Sequence, residues 1–371
     1  MKIDRRHFIA AGAASGLGLP GLAFAQAAGT PAVPAGASKP FDATWRTFDV
    51  TTRVNLKRAD APSQLWLPLP SVDGEWQTPM VESFISNGKA RVTADPRTGV
   101  RMLHVQFPDS REPMAEVTSR VRTRSRPDAM TTRPLQRDDA ASLRKWLAPT
   151  EMIPTDGIVR TTAQKAVGTA RTDVDKARAI YDWVVNNAHR EPKTRGCGEG
   201  NVKAMLESGD LSGKCVDLNS LFVGLCRSVG LPARDMYGLR LAPSATGYRE
   251  LGANPQRLDG AQHCRAEVYL QAHGWVPVDP ADVAKVMRQE TPQWIKSAKH
   301  PLITPVYARL FGTWEGNWLA WNDAHDVHLP GAKSKTISFL MYPVAEIGGE
   351  RIDSYSPADF AYSIAAKEVT A

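Results

Sequence analysis

Residues 213–241 read GKCVDLNSLFVGLCRSVGLPARDMYGLRL, a stretch in which a helical pattern begins directly at a cysteine. Gly230 and Pro232 stand where such a helix would end. The pattern predicts a helix over residues 215–229, with Cys215 in its first turn. Apolar side chains recur there at the spacing of one helix face: Leu218, Leu221, Phe222, Leu225, Cys226 and Val229.

The position of Cys215 at a helix start favours a reactive thiol. Backbone N–H groups at a helix N-terminus lack intrahelical acceptors, so they favour a thiolate and can donate to a developing oxyanion. Gly213 allows a tight entry into the helix. A single cysteine at a helix start is more often structural, so the interpretation depends on the residues that follow.

Two further stretches supply a base and a carboxylate. QHCRAEVYL at residues 262–270 and GWVPVDPAD at 274–282 predict a hairpin, with His263 beginning one strand and Asp279 ending the other. A loop centred near Gln271 would place His263 opposite Asp279, whereas a tight turn at residues 273–274 would pair Asp279 with Val268. The spacing therefore permits a contact between His263 and Asp279 without requiring it.

Together these stretches resemble the bacterial transglutaminase-like superfamily. The shared pattern is a G-x-C helix start, a Gly-x-Pro-Ala-Arg turn, an H-x-x-x-E-V-Y strand and a G-W-V-x-V-D-P strand, in that order. With the upstream helix DKARAIYDWVVNN, the resemblance covers residues 173–286. It implies a papain-like α+β core and a Cys-His-Asp triad, which falls on Cys215, His263 and Asp279.

Several polar residues near these motifs receive other interpretations. Asp217, Asn219 and Glu267 are expected to be structural, and Arg234 is expected to anchor the core through an ion pair. The sequence identifies no second oxyanion donor, and Asn201 is a guess.

The remaining cysteines differ in their expected state. Cys226 lies eleven residues beyond Cys215, about 16 Å along a helix and too far to bridge it, so we expect a buried free thiol. Cys197 and Cys264 form the one plausible disulfide, and free thiols are the alternative. A metal site built from Cys215, Cys264 and His263 is disfavoured because CxxC spacing is absent. We expect no metal and no cofactor.

The N-terminus is typical of an export signal. Arg5 and Arg6 precede Phe8 and an apolar stretch of about 14 residues, shorter than the roughly 20 needed to span a bilayer. Residues 23–25 (AFA) offer a cleavage site. The paired arginines resemble the twin-arginine signal, which predicts a periplasmic or secreted protein with no stable membrane insertion after cleavage.

Composition shifts predict five segments in the 371-residue chain. They are a signal peptide (1–25), a disordered linker (26–39), an N-terminal antiparallel β domain (40–127), the transglutaminase-like core (128–290) and a C-terminal β-containing extension (291–371). Strand-like patterns at residues 337–342 and 360–364 lie in the extension, and a short helix is expected at 143–147, early in the core.

Basic and aromatic patterns suggest binding roles that we disfavour. Arg120, Arg122, Arg124 and Arg126 would share one face of a strand, and a solvated face is the simpler interpretation. No aromatics that stack on bases interleave them, so no nucleic-acid partner is expected. Core packing is likewise the simpler interpretation of Trp314, Trp318 and Trp321, whose spacing fits one helix face. The sequence His325-Asp326-Val327-His328 could suggest a metal but fits a loop better.

The residues therefore favour thiol-dependent acyl transfer at an amide of a protein or peptide, with hydrolysis preferred. A protein-glutamine transglutaminase, with an amine as acceptor, is the first alternative. A non-catalytic binding protein that retains the fold is the second. An arylamine-acetyltransferase-like enzyme would need a coenzyme A site, for which we find no pattern.

Overall fold

Three antiparallel sheets and one long buried helix organise the protein. The computed structural model describes residues 32–56, 60–108, 112–131, 138–333, 336–356 and 360–369. The predicted signal peptide and residues 26–31 of the predicted linker lie outside these ranges. Among the described residues, no helix is long and apolar enough to cross a membrane.

Within the described ranges, six strands precede the first helix, and helices and strands are interspersed after it. The strands are β1 (Arg46–Leu56), β2 (Ser63–Pro68), β3 (Gln77–Ser86), β4 (Lys89–Ala94), β5 (Arg101–Phe107), β6 (Met114–Thr123), β7 (His189–Arg190), β8 (Ser212–Gly213), β9 (Ala233–Arg240), β10 (Gln262–Leu270), β11 (Gly274–Val278), β12 (Trp318–Asn322), β13 (Val344–Ile347), β14 (Glu350–Ile352) and β15 (Phe360–Val369). The helices are α1 (Ala140–Arg144), α2 (Gly157–Val167), α3 (Asp173–Asn187), α4 (Val202–Ser208), α5 (Cys215–Ser228), α6 (Pro280–Gln289) and α7 (Thr304–Arg309).

The core sheet has the strand order β11-β10-β9-β12, and α5 packs against β9 and β10. Every residue of α5 from Cys215 to Arg227 is buried. A helix that is covered on all sides belongs to the interior of a domain, which explains the apolar composition of residues 215–226. The predicted helix is confirmed, and it ends one residue earlier than expected.

Two further sheets combine strands that precede the first helix with the last three strands of the chain. Their strand orders are β15-β1-β6-β3 and β14-β13-β2-β5-β4. Strand β1 pairs with β15 from Thr47↔Val369 to Leu56↔Phe360, and β13 pairs with β2. Apolar side chains of both sheets share one cluster, which includes Val54, Leu67, Val105, Val117 and Phe360. The α+β class with a β-rich N-terminal region is confirmed.

Some local predictions were wrong. Residues 337–342 form no strand, because Ile337 makes only an isolated bridge to Val327. The short helix α1 begins at Ala140 and not at Leu143 as expected, because the Asp139 carboxylate caps it there by accepting from the N–H groups of Ala141 and Ser142. Residues 34–37 of the predicted disordered linker form a turn in which Ala37 is buried.

The arginine run does not form one solvated face. Arg120 pairs with Asp49 across β1 and β6, with Nε and Oδ1 2.6 Å apart. Arg126 lies beyond the end of β6 and contacts Glu267, whose side chain is fully buried. Because β6 ends at Thr123, the alternation on which the prediction depended does not continue to Arg126.

The three tryptophans are core residues, as expected, although no helix carries them. Trp314, Trp318 and Trp321 are at most 2% exposed, and the last two lie on β12. The indole N–H of Trp318 donates to the carbonyl of His263 at 3.0 Å. His325 pairs with buried Asp235, with 3.3 Å between Nε2 and Oδ2.

Candidate active site

The register of the β10–β11 hairpin falls between the two predicted alternatives. Ala266 pairs with Val278 and Leu270 with Gly274, which leaves a loop of residues 271–273. Continued by one residue, this register places Asp279 opposite Arg265. Side chains two residues apart on a strand share a face, so His263 lies on the same face of β10 as Arg265. His263 is therefore within reach of Asp279.

Asp279 holds the imidazole through one oxygen and begins a helix with the other. Its Oδ2 lies 2.7 Å from Nε2 of His263. Its Oδ1 accepts from the N–H of Asp282 at 3.0 Å, as the N-cap of α6, and from Nδ2 of Asn219 at 3.3 Å. The carboxylate is fully buried and fixed on all sides, so it holds the ring of His263 in one orientation.

Asp282 is a second carboxylate on the same imidazole, and it was not among the residues expected at the site. Its Oδ2 lies 3.4 Å from Nε2 of His263, and its Oδ1 pairs with Arg240 at 2.5 Å. Burial opposes ionisation of Asp282, but Arg240 and His263 lower its pKa well below the usual range. The sequence feature that could have predicted its role is the motif Asp-Pro-Ala-Asp, in which Asp282 follows Asp279 by three residues and therefore lies in the first turn of α6.

Burial and repulsion from Arg240 lower the pKa of His263, whereas Asp282 and Asp279 raise it to a net value of about 9. Among the described residues, His263, Asp279 and Asp282 are the only group whose ligand atoms lie close enough to hold a metal, all within 4.8 Å. Arg240 and Arg265 already lie against these carboxylates. Two buried guanidiniums beside them disfavour a further cation, so we assign the group to an ion-pair network.

A loop is fixed onto the helix start that carries Cys215. Asp217 Oδ1 accepts from the N–H groups of Glu199 and Gly200, each at 2.9 Å, and its Oδ2 accepts from the N–H of Lys214 at 2.9 Å. The N–H of Val216 donates to the carbonyl of Cys197 at 3.0 Å. These bonds hold residues 197–200 beside the thiol of Cys215.

Gly198 makes this close approach possible. Its φ is +92°, and an added Cβ would collide with the carboxylate of Asp217. Only glycine accommodates both the left-handed backbone and the contact.

Cys215 lines one cavity together with His263 and Cys197, and both of these residues interact with its thiol. Burial raises the pKa of the Cys215 thiol and the contact with Cys197 raises it further, whereas His263 lowers it. The hydrogen bond to Cys215 lowers the pKa of Cys197 in turn. The two thiols therefore interact with each other, with opposite effects on their pKa values.

The sulfurs and the imidazole line an open cavity of about 610 Å³. Cys215 and His263 are each only 3% exposed, so a substrate would reach them from this cavity. Tyr342, Tyr355 and Tyr362 form part of the wall, which places the C-terminal extension directly at the site.

The structure places the other predicted residues as follows. Arg234 pairs with Glu267 at 2.7 Å, which confirms the expected ion pair. Asp217, Asn219 and Glu267 have the structural roles expected of them. Asn201 caps α4 by accepting from the N–H of Ala204 at 3.1 Å and does not line the cavity, so its suggested role as an oxyanion donor is not supported.

All four cysteines are free and buried, so the disulfide between Cys197 and Cys264 is not formed. Successive side chains of a strand point to opposite faces, so Cys264 points away from the face that carries His263. Its Sγ lies 3.4 Å from Oδ1 of Asp235 instead. Cys226 is a buried free thiol, as expected.

Comparisons with known proteins match this geometry to one family. The family model of the transglutaminase-like superfamily matches residues 160–280. A Haemophilus influenzae protein described as uncharacterized is 36% identical over 343 residues, which cover 87% of this chain and 90% of the relative.

A solved structure shares the fold at low sequence identity. A proposed cysteine protease from Cytophaga hutchinsonii has a TM-score of 0.53 at 16% identity, covering 88% of this chain and 92% of its own. The periplasmic domain of TgpA from Pseudomonas aeruginosa has a TM-score of 0.32 at 16% identity, over 70% of this chain and 95% of that domain. The family-model match and the Haemophilus relative, together with the ordered motifs, lead to one conclusion: the chain belongs to the transglutaminase-like superfamily.

Proposed function

We propose that the protein is a thiol-dependent enzyme that cleaves an amide bond of a protein or peptide and transfers the acyl group to water. One observation carries the proposal. Cys215, at the N-terminus of α5, lines the same cavity as His263, which lowers the pKa of its thiol, and Nε2 of that imidazole lies 2.7 Å from Oδ2 of Asp279. In the proposed enzyme these residues serve as the nucleophile, the base and the residue that orients the base.

In the first step, the Cys215 sulfur forms a bond to the amide carbonyl carbon. His263 holds the proton lost by the thiol and gives it to the departing amine nitrogen as the C–N bond breaks. Asp279 and Asp282 stabilise the imidazolium that exists between these two transfers. The products of this step are a thioester on Cys215 and a free amine.

In the second step, a water molecule loses a proton to His263 and attacks the thioester carbonyl. The C–S bond breaks, the carboxylic acid leaves, and the sulfur regains a proton from the imidazolium. The N–H groups of Lys214 and Val216 already donate to Asp217 and Cys197. The Cys215 N–H, in the first turn of α5, is therefore our candidate donor to the oxyanion.

Active-site labelling tests the nucleophile. We expect iodoacetamide to modify Cys215 in the folded protein much faster than Cys226, as read by peptide mass spectrometry. Cys215→Ala should abolish amide cleavage, His263→Ala should slow both labelling and cleavage, and Cys226→Ala serves as the matched cysteine control. Equal reaction of Cys215 and Cys226 in the folded protein would contradict the proposal and favour a binding protein.

The acceptor is tested with a peptide library incubated with and without a primary amine. Hydrolysis gives a mass gain of one water across the two fragments, whereas amine transfer gives a peptide that carries the amine. If products form only when the amine is present, the acyl acceptor is an amine and not water, and the protein is a transglutaminase.

We also propose that the enzyme acts in the periplasm or outside the cell. The support is the Arg5-Arg6 pair, the short apolar stretch and the Ala23–Ala25 cleavage pattern. Replacement of both arginines by lysine should leave the uncleaved precursor in the cytoplasm, as measured by cell fractionation. Unchanged export of that variant would argue against twin-arginine transport.

A further inference from the structure

The cavity at Cys215 has a strongly basic wall. Besides His263, its basic lining residues are Arg190, Lys214, Arg240, Arg257 and Lys285, and its one acidic lining residue is the exposed Asp259. Low-dielectric walls that carry one sign of charge concentrate ligands of the opposite sign. A ligand gains most from those cations that are not already paired with a carboxylate of the protein.

Two of the five cations are already paired. Arg240 binds Asp282, and Lys285 lies 3.4 Å from Oε2 of Glu250. Arg190, Lys214 and Arg257 make no ion pair with a carboxylate within the part of the chain that the structure describes. Arg190 donates instead to the neutral amide of Gln289.

Arg190 and Lys214 lie together beside the nucleophile. Arg190 pairs with Gly213 in the short parallel ladder of β7 and β8, and Lys214 is the next residue before Cys215. Burial and repulsion from Arg190 lower the pKa of Lys214. Two half-buried cations therefore repel each other at the cavity wall, and a negative charge bound between them would relieve that repulsion.

A buried donor at the same wall points to the same kind of ligand. Gln262 precedes His263, lines the cavity and is 8% exposed. Its Nε2 has no hydrogen-bond acceptor among the described residues. A buried N–H group without an acceptor is costly, so a ligand oxygen that accepts from it would gain affinity.

We propose that the cavity selects acidic peptides, with a substrate carboxylate seated between Lys214 and Arg190. Gln262 donates to an oxygen of the same substrate. The inference rests on the proposed function, because it names the substrate class of that site. It makes Lys214 and Arg190 specificity residues for the amide that Cys215 attacks.

A pair of alkylating reagents tests the charge preference without any substrate. With either iodoacetate or iodoacetamide the Cys215 sulfur bonds to the CH2 carbon and iodide is released to solution, but only iodoacetate is negatively charged. We expect the rate with iodoacetate divided by the rate with iodoacetamide to be higher at Cys215 of the folded protein than in the same chain unfolded in urea. Lys214→Met and Arg190→Met should each lower the ratio by about threefold or more at low ionic strength, and about 0.5 M salt should reduce the difference.

Lys193→Met is the matched control, since Lys193 is exposed in the neighbouring loop and does not line the cavity. Taking a ratio corrects for any change in the reactivity of the thiol itself. The inference is overturned if both cavity variants leave the ratio unchanged, or if Lys193→Met lowers it equally.

Peptides that differ only by Glu or Gln beside the scissile amide separate this inference from the proposed function. Preferential cleavage of the Glu peptide, lost in Lys214→Met and Arg190→Met, supports both. Equal cleavage of both peptides retains the amidase and overturns the acidic specificity. Cleavage of neither peptide counts against the amidase, and the alkylation ratio then decides whether the cavity binds anions.

Discussion

Nε2 of His263 and Oδ2 of Asp279 lie 2.7 Å apart, although the two residues are not opposite each other in the hairpin. Asp279 follows β11 as the N-cap of α6, and the register of the hairpin places it near the face of β10 that carries His263. One residue thus ends a strand, caps a helix and orients an imidazole. Changes at this residue should alter the proton chemistry of the site.

Asp279→Asn should move the alkaline limit of activity to lower pH. Asp282 and Asp279 raise the pKa of His263 to about 9, so the imidazolium that protonates the leaving amine persists up to that pH. Removing one negative charge lowers the pKa of His263, while the asparagine oxygen can still cap α6. The profile of kcat/KM against pH measures the shift. Asp259→Asn, exposed at the cavity, is the control, and an unmoved limit in Asp279→Asn would refute the role.

Cys197→Ala should make Cys215 more reactive. The contact with Cys197 helps to raise the pKa of Cys215, so its loss increases the thiolate fraction at neutral pH. We expect iodoacetamide to label Cys215 at least about twofold faster at pH 7, because the thiolate is the reactive form. Cys226→Ala should leave the rate unchanged. A slower reaction in Cys197→Ala would show that Cys197 supports the thiolate instead.

Gly198→Ala should disable the site while the similar variant Gly209→Ala does not. Both glycines have left-handed backbones, with φ of +92° and +72°. An added Cβ at Gly198 would collide with Asp217, but one at Gly209 would meet no atom within 4 Å. Backbone strain of about 1–2 kcal/mol is common to both. We expect at least a tenfold loss of Cys215 labelling in Gly198→Ala alone, and equal labelling of both variants would contradict the role of the loop.

Glu267→Gln should destabilise the whole domain. The carboxylate is fully buried and pairs with Arg126 and Arg234, which would retain buried charges without it. Breaking a buried pair costs about 3–5 kcal/mol in the free energy of unfolding. Urea unfolding followed by tryptophan fluorescence measures it. Glu207→Gln, which removes an exposed pair with Lys203, should cost less than about 0.5 kcal/mol, and similar costs for both would argue against a structural network.

The sequence by itself predicted the elements that depend on local pattern. The apolar face of α5 predicts the helix that begins at Cys215, and the alternating strands predict the β10–β11 hairpin. Glu267 was expected to be structural and Arg234 to anchor the core through an ion pair, and the two residues pair with each other. These features follow from neighbours close in the chain, so a single sequence contains them.

Only the tertiary structure decided which distant groups meet. The pairing of β1 with β15 joins strands about 310 residues apart in the chain, and Tyr342, Tyr355 and Tyr362 of the C-terminal region reach the cavity wall. Asp282 joins Asp279 on one imidazole because it lies in the first turn of α6, which Asp279 caps. Cys197 rather than Cys264 interacts with Cys215 because strand side chains alternate. The motifs determined which residues could react. Register, strand face and long-range packing decided which of them are in contact, because those depend on atoms far apart in the chain.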